Sequence, residues 1–249
     1  MDAGAAARIA AACAPASFAE TLEVGAGTGA LTRALLDAGG HVRALEIDPD
    51  LVAILRDRED LRAADIVETD ALAYDYAAAY GDAPWCATGN LPYNVATPLM
   101  LQWIALPSPP QRIVVMVQKD VADRLTARPG TPAYGSLTLA VGFAMRVRRA
   151  FVLGPDVFYP RPKVDSAVVV MERHEEPPVA VRDVAFMLQV VRAGFAYRRK
   201  TLANSVALAL DIDRSRVQAA LERLGIDTEI RGEQLDLDAF AALSGELGS

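Results

Sequence analysis

Short β-branched runs alternate with amphipathic stretches through the first two thirds of the chain. The runs TLEV (21–24), HVRALEI (41–47), DIVET (65–69), PWCATG (84–89) and RIVVMVQ (112–118) read as strands. Between them, ALTRALLDA and PDLVAILRDR place apolar residues at the 3.6-residue period of a helix. This alternation predicts an α/β fold built on a doubly wound parallel sheet. Two later apolar runs, RVRRAFVL (146–153) and VDSAVVVME (164–172), are separated by a Pro-rich loop with no room for a helix. They predict an antiparallel hairpin at the sheet edge, making seven strands in all.

The pattern changes after Arg173. HEEPP (174–178) has the composition of a linker, and the remainder carries helical periodicity only: VRDVAFMLQVVRAGF, then RKTLANSVALAL, then SRVQAALERL with Gly225 as the residue past the helix end. The predicted organisation is therefore a sheet domain over 1–173, a linker over 174–178 and a small helical domain over 179–249.

Composition narrows the chemistry. The chain has 249 residues, 52% of them apolar, ample for a packed core. Its apolar runs are broken well short of the ~18 to 20 residues that span a bilayer, and no basic-then-apolar leader opens it, so a cytoplasmic protein without a membrane partner is expected. Cys13 and Cys86 have no second Cys or His at ligand spacing, so they are read as packing residues and no metal is expected. With only His41 and His174 available, a His-dependent triad or metal hydrolase is hard to build. The net charge of −7 argues on average against nucleic acid. Its distribution argues otherwise. Arg146 to Lys163 holds five basic residues (Arg146, Arg148, Arg149, Arg161, Lys163) against Asp156 alone, and Arg192 to Val206 holds four with no acid. Such patches can bind phosphate on an acidic protein, although either alone also fits a solvated face. Arg198, Arg199 and Lys200 are consecutive, so on a helix they would span about 200° and could not all face a core.

EVGAGTGALT (23–32) sets Gly25, Gly27 and Gly29 directly between a strand and a helix. Glycine lets the backbone turn tightly and lets a ligand lie on bare main chain, and the helix beyond offers unpaired N–H donors. A nucleotide-like ligand fits, as does an NAD site or a structural turn. The next strand ends in Glu46, placed to hold both hydroxyls of a ribose. Asp70 closes the third strand, placed to accept from an adenine amine, though a strand-end acid is also ordinary. G-x-G-x-G with Glu23 two residues before the first Gly would repel a pyrophosphate, yet suits an ammonium or sulfonium. A methyl donor is favoured over a dinucleotide.

TGNLPYN (88–94) falls across the crevice from that loop. An exocyclic adenine N6 carries two N–H donors and a lone pair conjugated with the ring. If the Asn90 side chain and the Leu91 carbonyl accept both N–H bonds, the lone pair is free to turn toward a methyl carbon. Pro92 holds Leu91 extended, and Tyr93 offers a flat face to an unstacked base, worth roughly 1–3 kcal/mol. Catalysis then comes from position and oriented dipoles. The alternative is a Pro-containing turn with a buried Tyr. Thr97-Pro98 is expected to open the next helix as N-cap and first residue.

Taken in order, EVGAGTGALT, ALEIDPDL, TDAL, GNLPYNVATPL, MVQKDVADRL, AYGSL, FYPRPKVDSAVV and FAYRRKTLANSV resemble the segments of the ribosomal RNA adenine N6,N6-dimethyltransferases of the small subunit. The resemblance runs from the first helix to the last. It implies a Rossmann-like seven-stranded methyltransferase domain with a helical C-terminal domain, S-adenosylmethionine as cofactor, and dimethylation of two adjacent adenosines near the 3′ end of small-subunit rRNA within the pre-30S particle, by a monomer. It further implies that Asn90, Leu91, Pro92 and Tyr93 hold the target adenine with Phe158 on its other face. Glu23, Gly25, Gly27, Glu46, Asp70, Ala71 and Asn90 line the donor site, and Arg161, Lys163, Arg198, Arg199 and Lys200 meet RNA. Members of that family usually open with a Gly-Gln-Asn-Phe-Leu-type segment that closes over donor and substrate. The present chain begins at Met1-Asp2, where that segment should already have ended, so either a truncated start or looser binding is expected. Two other readings stay open: a large-subunit rRNA adenine methyltransferase of the macrolide-resistance kind, and a non-catalytic assembly or transcription factor on the same fold.

Overall fold

The computed structural model describes residues 1–157 and 164–248, except for the side chain of Tyr93. Two compact units emerge, one of residues 1–122 and 145–173, the other of residues 123–144 and 174–249.

The first unit is a seven-stranded sheet. Its strands are β1 (Glu20–Val24), β2 (Val42–Glu46), β3 (Asp65–Glu68), β4 (Trp85–Asn90), β5 (Arg112–Gln118), β6 (Met145–Leu153) and β7 (Ser166–Arg173), in the order β3-β2-β1-β4-β5-β7-β6. The first five are parallel, and β7 lies antiparallel between β5 and β6. Each predicted strand is present, and so is the hairpin. The strands of the middle are buried on both faces, β5 and β7 almost throughout, which is why they read as unbroken apolar runs.

Helices α1 (Ala3–Cys13), α2 (Ala30–Asp37) and α3 (Pro49–Asp57) cover one face. Ile9, Cys13, Leu31 and Leu35 meet Val42, Cys86, Met116 and Val168 there. Cys13 and Cys86 are both buried free thiols, and burial pushes the Cys86 thiol well above its ordinary range. Helices α4 (Tyr76–Tyr80) and α5 (Tyr93–Ile104) carry the aromatic packing of the opposite face, where Tyr80 stacks on Trp85 at 4.2 Å and Trp103 meets the edge of Tyr76. Helix α5 departs from the expectation at Thr97-Pro98. It starts five residues earlier, because the Pro92 carbonyl accepts from both Val95 and Ala96, and Pro98 is carried inside it. The helix thus begins immediately after the Asn90–Pro92 segment.

α6 (Lys119–Leu125) contains the division between the units. The second unit holds α7 (Ser136–Ala144), α8 (Val184–Ala196), α9 (Leu202–Leu210), α10 (Arg214–Arg223) and α11 (Leu237–Leu247). Its core joins Leu139 of α7 to Val190, Val206, Leu221 and Phe240. Residues 123–144, placed by sequence in the first domain, pack with these later helices because α7 is apolar nearly all round and Tyr134 donates to the Leu235 carbonyl. His174, read as the start of a linker, has its ring 3.1 Å from the Gly142 carbonyl. Gly225 takes φ +68° past the end of α10, as its position predicted. Near the end of α8 the chain closes backbone to backbone: a Cβ on Gly232 would stand 2.5 Å from the Gly194 carbonyl oxygen.

Candidate active site

The carboxyl ends of β1, β2 and β4 are level. Val24 pairs with Leu45 on one side and Gly89 on the other, so Gly25, Glu46 and Asn90 each come next on adjacent strands. That is the crevice where parallel sheets of this order bind ligands. Gly89 makes the approach possible, since a Cβ there would lie 2.5 Å from the Val24 carbonyl oxygen.

The glycine loop is held open by conformation. Gly25, Gly27 and Gly29 have φ of +73°, +58° and +82°, a region other residues enter at a cost of about 1–2 kcal/mol. The Gly25 amide donates to the Leu45 carbonyl at 2.9 Å, and Arg58 donates to the Thr28 carbonyl, tying the loop down from α3's end. Leu61 and Leu55 fill the space beside Gly29. Gly27 is different: a Cβ there would meet nothing within 4 Å, so its bare backbone faces open space.

Glu46 and Glu23 occupy the same face of the sheet as α2, two residues out of step on neighbouring strands. Glu46 is buried and accepts from three backbone amides, those of Gly27 (2.8 Å), Ile47 (2.9 Å) and Asp48 (3.1 Å). Its side chain is therefore fixed against the loop. Glu23, expected as an acid beside a cation, lies beneath the loop. It is 2% exposed and burial lifts it to about 8, with Thr32 opposing and Glu46 adding to the rise. Near neutrality it is mostly a neutral carboxyl, and the Thr32 hydroxyl donates to it at 2.6 Å. Thr32 was missed in the sequence, where a Thr in the first turn of α2 looks like any helix-start residue.

Asp70 is exposed beyond β3, where one oxygen accepts from the Leu72 amide at 2.9 Å, and Ala71 beside it is buried. Asn90 is exposed at the end of β4, and no described residue hydrogen-bonds its side chain. Leu91 is buried, its amide donating to the Met116 carbonyl at 3.1 Å, so its side chain and N–H are spent on the core while no described residue donates to its carbonyl. Pro92 caps α5 with ψ 148°. The Asn90 carbonyl oxygen lies 4.0 Å from where a Cβ of Gly25 would be, which brings the two loops face to face. The Tyr93 side chain, Phe158, Arg161 and Lys163 lie outside the described residues.

In the helical unit Arg198, Arg199 and Lys200 sit in the turn between α8 and α9 and not on a helix. Arg198 is engaged, donating to the Pro132 carbonyl at 3.1 Å and meeting Glu233 at 3.3 Å. The acid missing from its own segment comes from further along the chain. Arg199 and Lys200 are exposed.

A cradle of open glycine backbone with a fixed carboxylate, facing an unpaired amide and carbonyl, fits a nucleoside donor on one side and an amine acceptor on the other. Among the described residues no cluster of His, Cys, Asp and Glu suits a metal, and no helix is long and apolar enough to cross a membrane. Known proteins resemble the chain over nearly its whole length. A protein named ribosomal RNA small subunit methyltransferase A from Hahella chejuensis is 41% identical over 232 residues, covering 92% of this chain and 83% of its own. The crystal structure of a dimethyladenosine transferase from Plasmodium falciparum superposes with a TM-score of 0.83 at 25% identity, over 98% of this chain and 95% of that one. That of the 23S rRNA methyltransferase ErmE gives 0.75 at 24% identity over 100% and 99%, a likeness of fold. Residues 2–247 match the family described as ribosomal RNA adenine dimethylase, and the chain belongs to that family.

Proposed function

We propose that this chain dimethylates the N6 amines of two adjacent adenosines near the 3′ end of small-subunit rRNA, within the pre-30S particle and as a monomer in the cytoplasm. As a member of its family it is a methyltransferase that uses S-adenosylmethionine. The observation that carries the reading is the opposition of Gly25 to the Asn90 carbonyl across the crevice, with the Asn90 side chain and the Leu91 carbonyl both unspent among the described residues.

When bound, S-adenosylmethionine supplies an electrophilic methyl group. Gly25 and Gly27 give it bare backbone, and Glu46, already fixed by three amides, presents its remaining acceptor capacity to ribose hydroxyls. Asp70 and Ala71 border the base. Neutral Glu23 removes a charge from beneath the loop and keeps the loop's underside dry. On the acceptor side Asn90 and Leu91 accept the two N–H bonds of the adenine amine and turn its lone pair out of the ring. Pro92 fixes the approach, and Tyr93 and Phe158 are the proposed stacking surfaces for the base. Arg161, Lys163, Arg199 and Lys200 are proposed to meet RNA phosphates, with Arg198 shared between that role and Glu233.

The small subunit is favoured over the large because the 41% identical relative carries the small-subunit name, whereas the likeness to the 23S enzyme is one of fold. Transfer of labelled methyl groups to undermethylated small subunits, large-subunit RNA and free small-subunit RNA tests it. Incorporation into the first alone, with both target amines doubly methylated, is expected. Preference for large-subunit RNA, or none for any of the three, overturns the reading.

A further inference from the structure

A single register line crosses four strands, from Asn90 of β4 through Met116 of β5 and Val168 of β7 to Phe151 of β6. With strands spaced about 4.8 Å, Phe151 lies about 14 Å from Asn90 on the same face of the sheet, with α1 packed over Met116 and Val168 between them. β6 is the edge strand, and a bulge between Arg149 and Phe151 turns it there. The Arg8 guanidinium of α1 stacks over the Phe151 ring at 3.9 Å. Further down the same face come Arg148, opposite Val170, and Arg146, opposite Glu172. At about 3.4 Å per residue these two are about 7 Å apart.

Among the described residues none of these three arginines is paired with an acid. Glu172, the carboxylate nearest in register to Arg146, is taken by Arg112 at 2.7 Å. The other described Arg and Lys residues of this unit have partners of their own. Arg8, Arg146 and Arg148 are exposed, and no described carboxylate or carbonyl binds them. In a chain of net charge −7 this is an uncompensated positive row beginning level with the catalytic edge.

We propose that the row is a track for the RNA backbone: the ribose-phosphate chain flanking the adenosine held at Asn90 leaves the crevice past Arg8 and descends β6, its phosphates meeting Arg8, Arg148 and Arg146. This rests on the reading of the chain as an rRNA methyltransferase. Guanidinium forks suit phosphate, and a spacing of alternate residues along a strand offers successive contacts. The competing role for edge arginines is to keep a second copy from pairing with β6.

The test is binding of undermethylated small subunits from about 50 to 200 mM salt, with parent and an Arg8→Gln, Arg146→Gln, Arg148→Gln triple variant. The slope of log affinity against log salt should fall by about two, each phosphate contact contributing roughly 0.7 to 0.9. Single Gln variants, each at an exposed site, should each lose about one contact even where the triple folds poorly, and Arg→Lys variants should keep the parent slope. Parallel slopes for parent and Gln variants overturn the track, as does self-association of the variants in light scattering with the slope kept. Methyl transfer by the parent separates the two readings: where it succeeds and the slopes are parallel, only the track falls, and a parent that neither binds nor methylates subunits removes both.

Discussion

The Thr32 hydroxyl is bonded at 2.6 Å to Glu23, and both residues are buried. Burial lifts the carboxyl from 4.5 to about 8. Between those values the folded chain keeps a proton that the unfolded chain gives up, so stability falls as pH rises through this window and levels off above it. Glu23→Gln should flatten that slope in thermal melts from about pH 5 to 9. An equally steep slope in the variant would assign the dependence to another group.

Removing the hydroxyl alone tests the pair from its other end. Thr32→Val leaves a buried carboxyl without its donor and should cost about 1–3 kcal/mol in denaturant unfolding. Thr32→Ser should recover most of that loss.

Asn90→Ala removes one of the two acceptors proposed for the adenine amine. Turnover should fall by roughly 10² to 10³, while donor affinity changes much less. Single-turnover transfer together with a donor titration separates the two, and turnover within a few-fold of the parent would remove the clamp.

Two glycines of the crevice should respond differently to Ala. At Gly27 the new Cβ meets only open space, so the fold bears the left-handed penalty of about 1–2 kcal/mol while donor binding weakens. At Gly89 the Cβ is driven into the Val24 carbonyl, forcing β1 and β4 apart. That variant should lose several kcal/mol or fail to fold, in the range of overpacked cores of about 1–3 kcal/mol or more. Melting temperature and donor affinity, read side by side, distinguish the pair.

The basic turn of the helical unit divides in the same way. Arg199→Ala with Lys200→Ala should flatten the salt dependence of subunit binding by about one to two units with little change in stability. Arg198→Ala also releases Glu233 and the Pro132 carbonyl, so it should in addition lower stability, by up to about 1 kcal/mol for so exposed a pair. Denaturant unfolding of the three single variants checks the split.

The strands were legible because burial on both faces leaves β5 and β7 no polar alternation to confuse with a helix. The glycine loop was legible because three left-handed backbone positions need that residue type. What sequence hid depends on partners distant along the chain. Glu23 reads as a charged acid beside the loop, and its burial under α2 with Thr32 does not show in the sequence. The Pro98 signal suggested a helix start, whereas Pro92 already offered its carbonyl to Val95 and Ala96. Arg198 found its acid at Glu233, and residues 123–144 joined the helical unit through Tyr134 and Leu235.

Gly194 and Gly232 meet where neither has a side chain to give way. A Cβ on Gly232 would strike the Gly194 carbonyl, and one on Gly194 would come within 2.9 Å of Phe240. Both positions therefore exclude a side chain, Gly232 against the rigid backbone of Gly194 and Gly194 against the Phe240 ring and the Leu202 side chain. Glu233, the partner of Arg198, is the next residue after Gly232. Gly232→Ala should therefore disturb the chain beside the residue that holds Arg198, loosening the basic turn as well as the packing of α8.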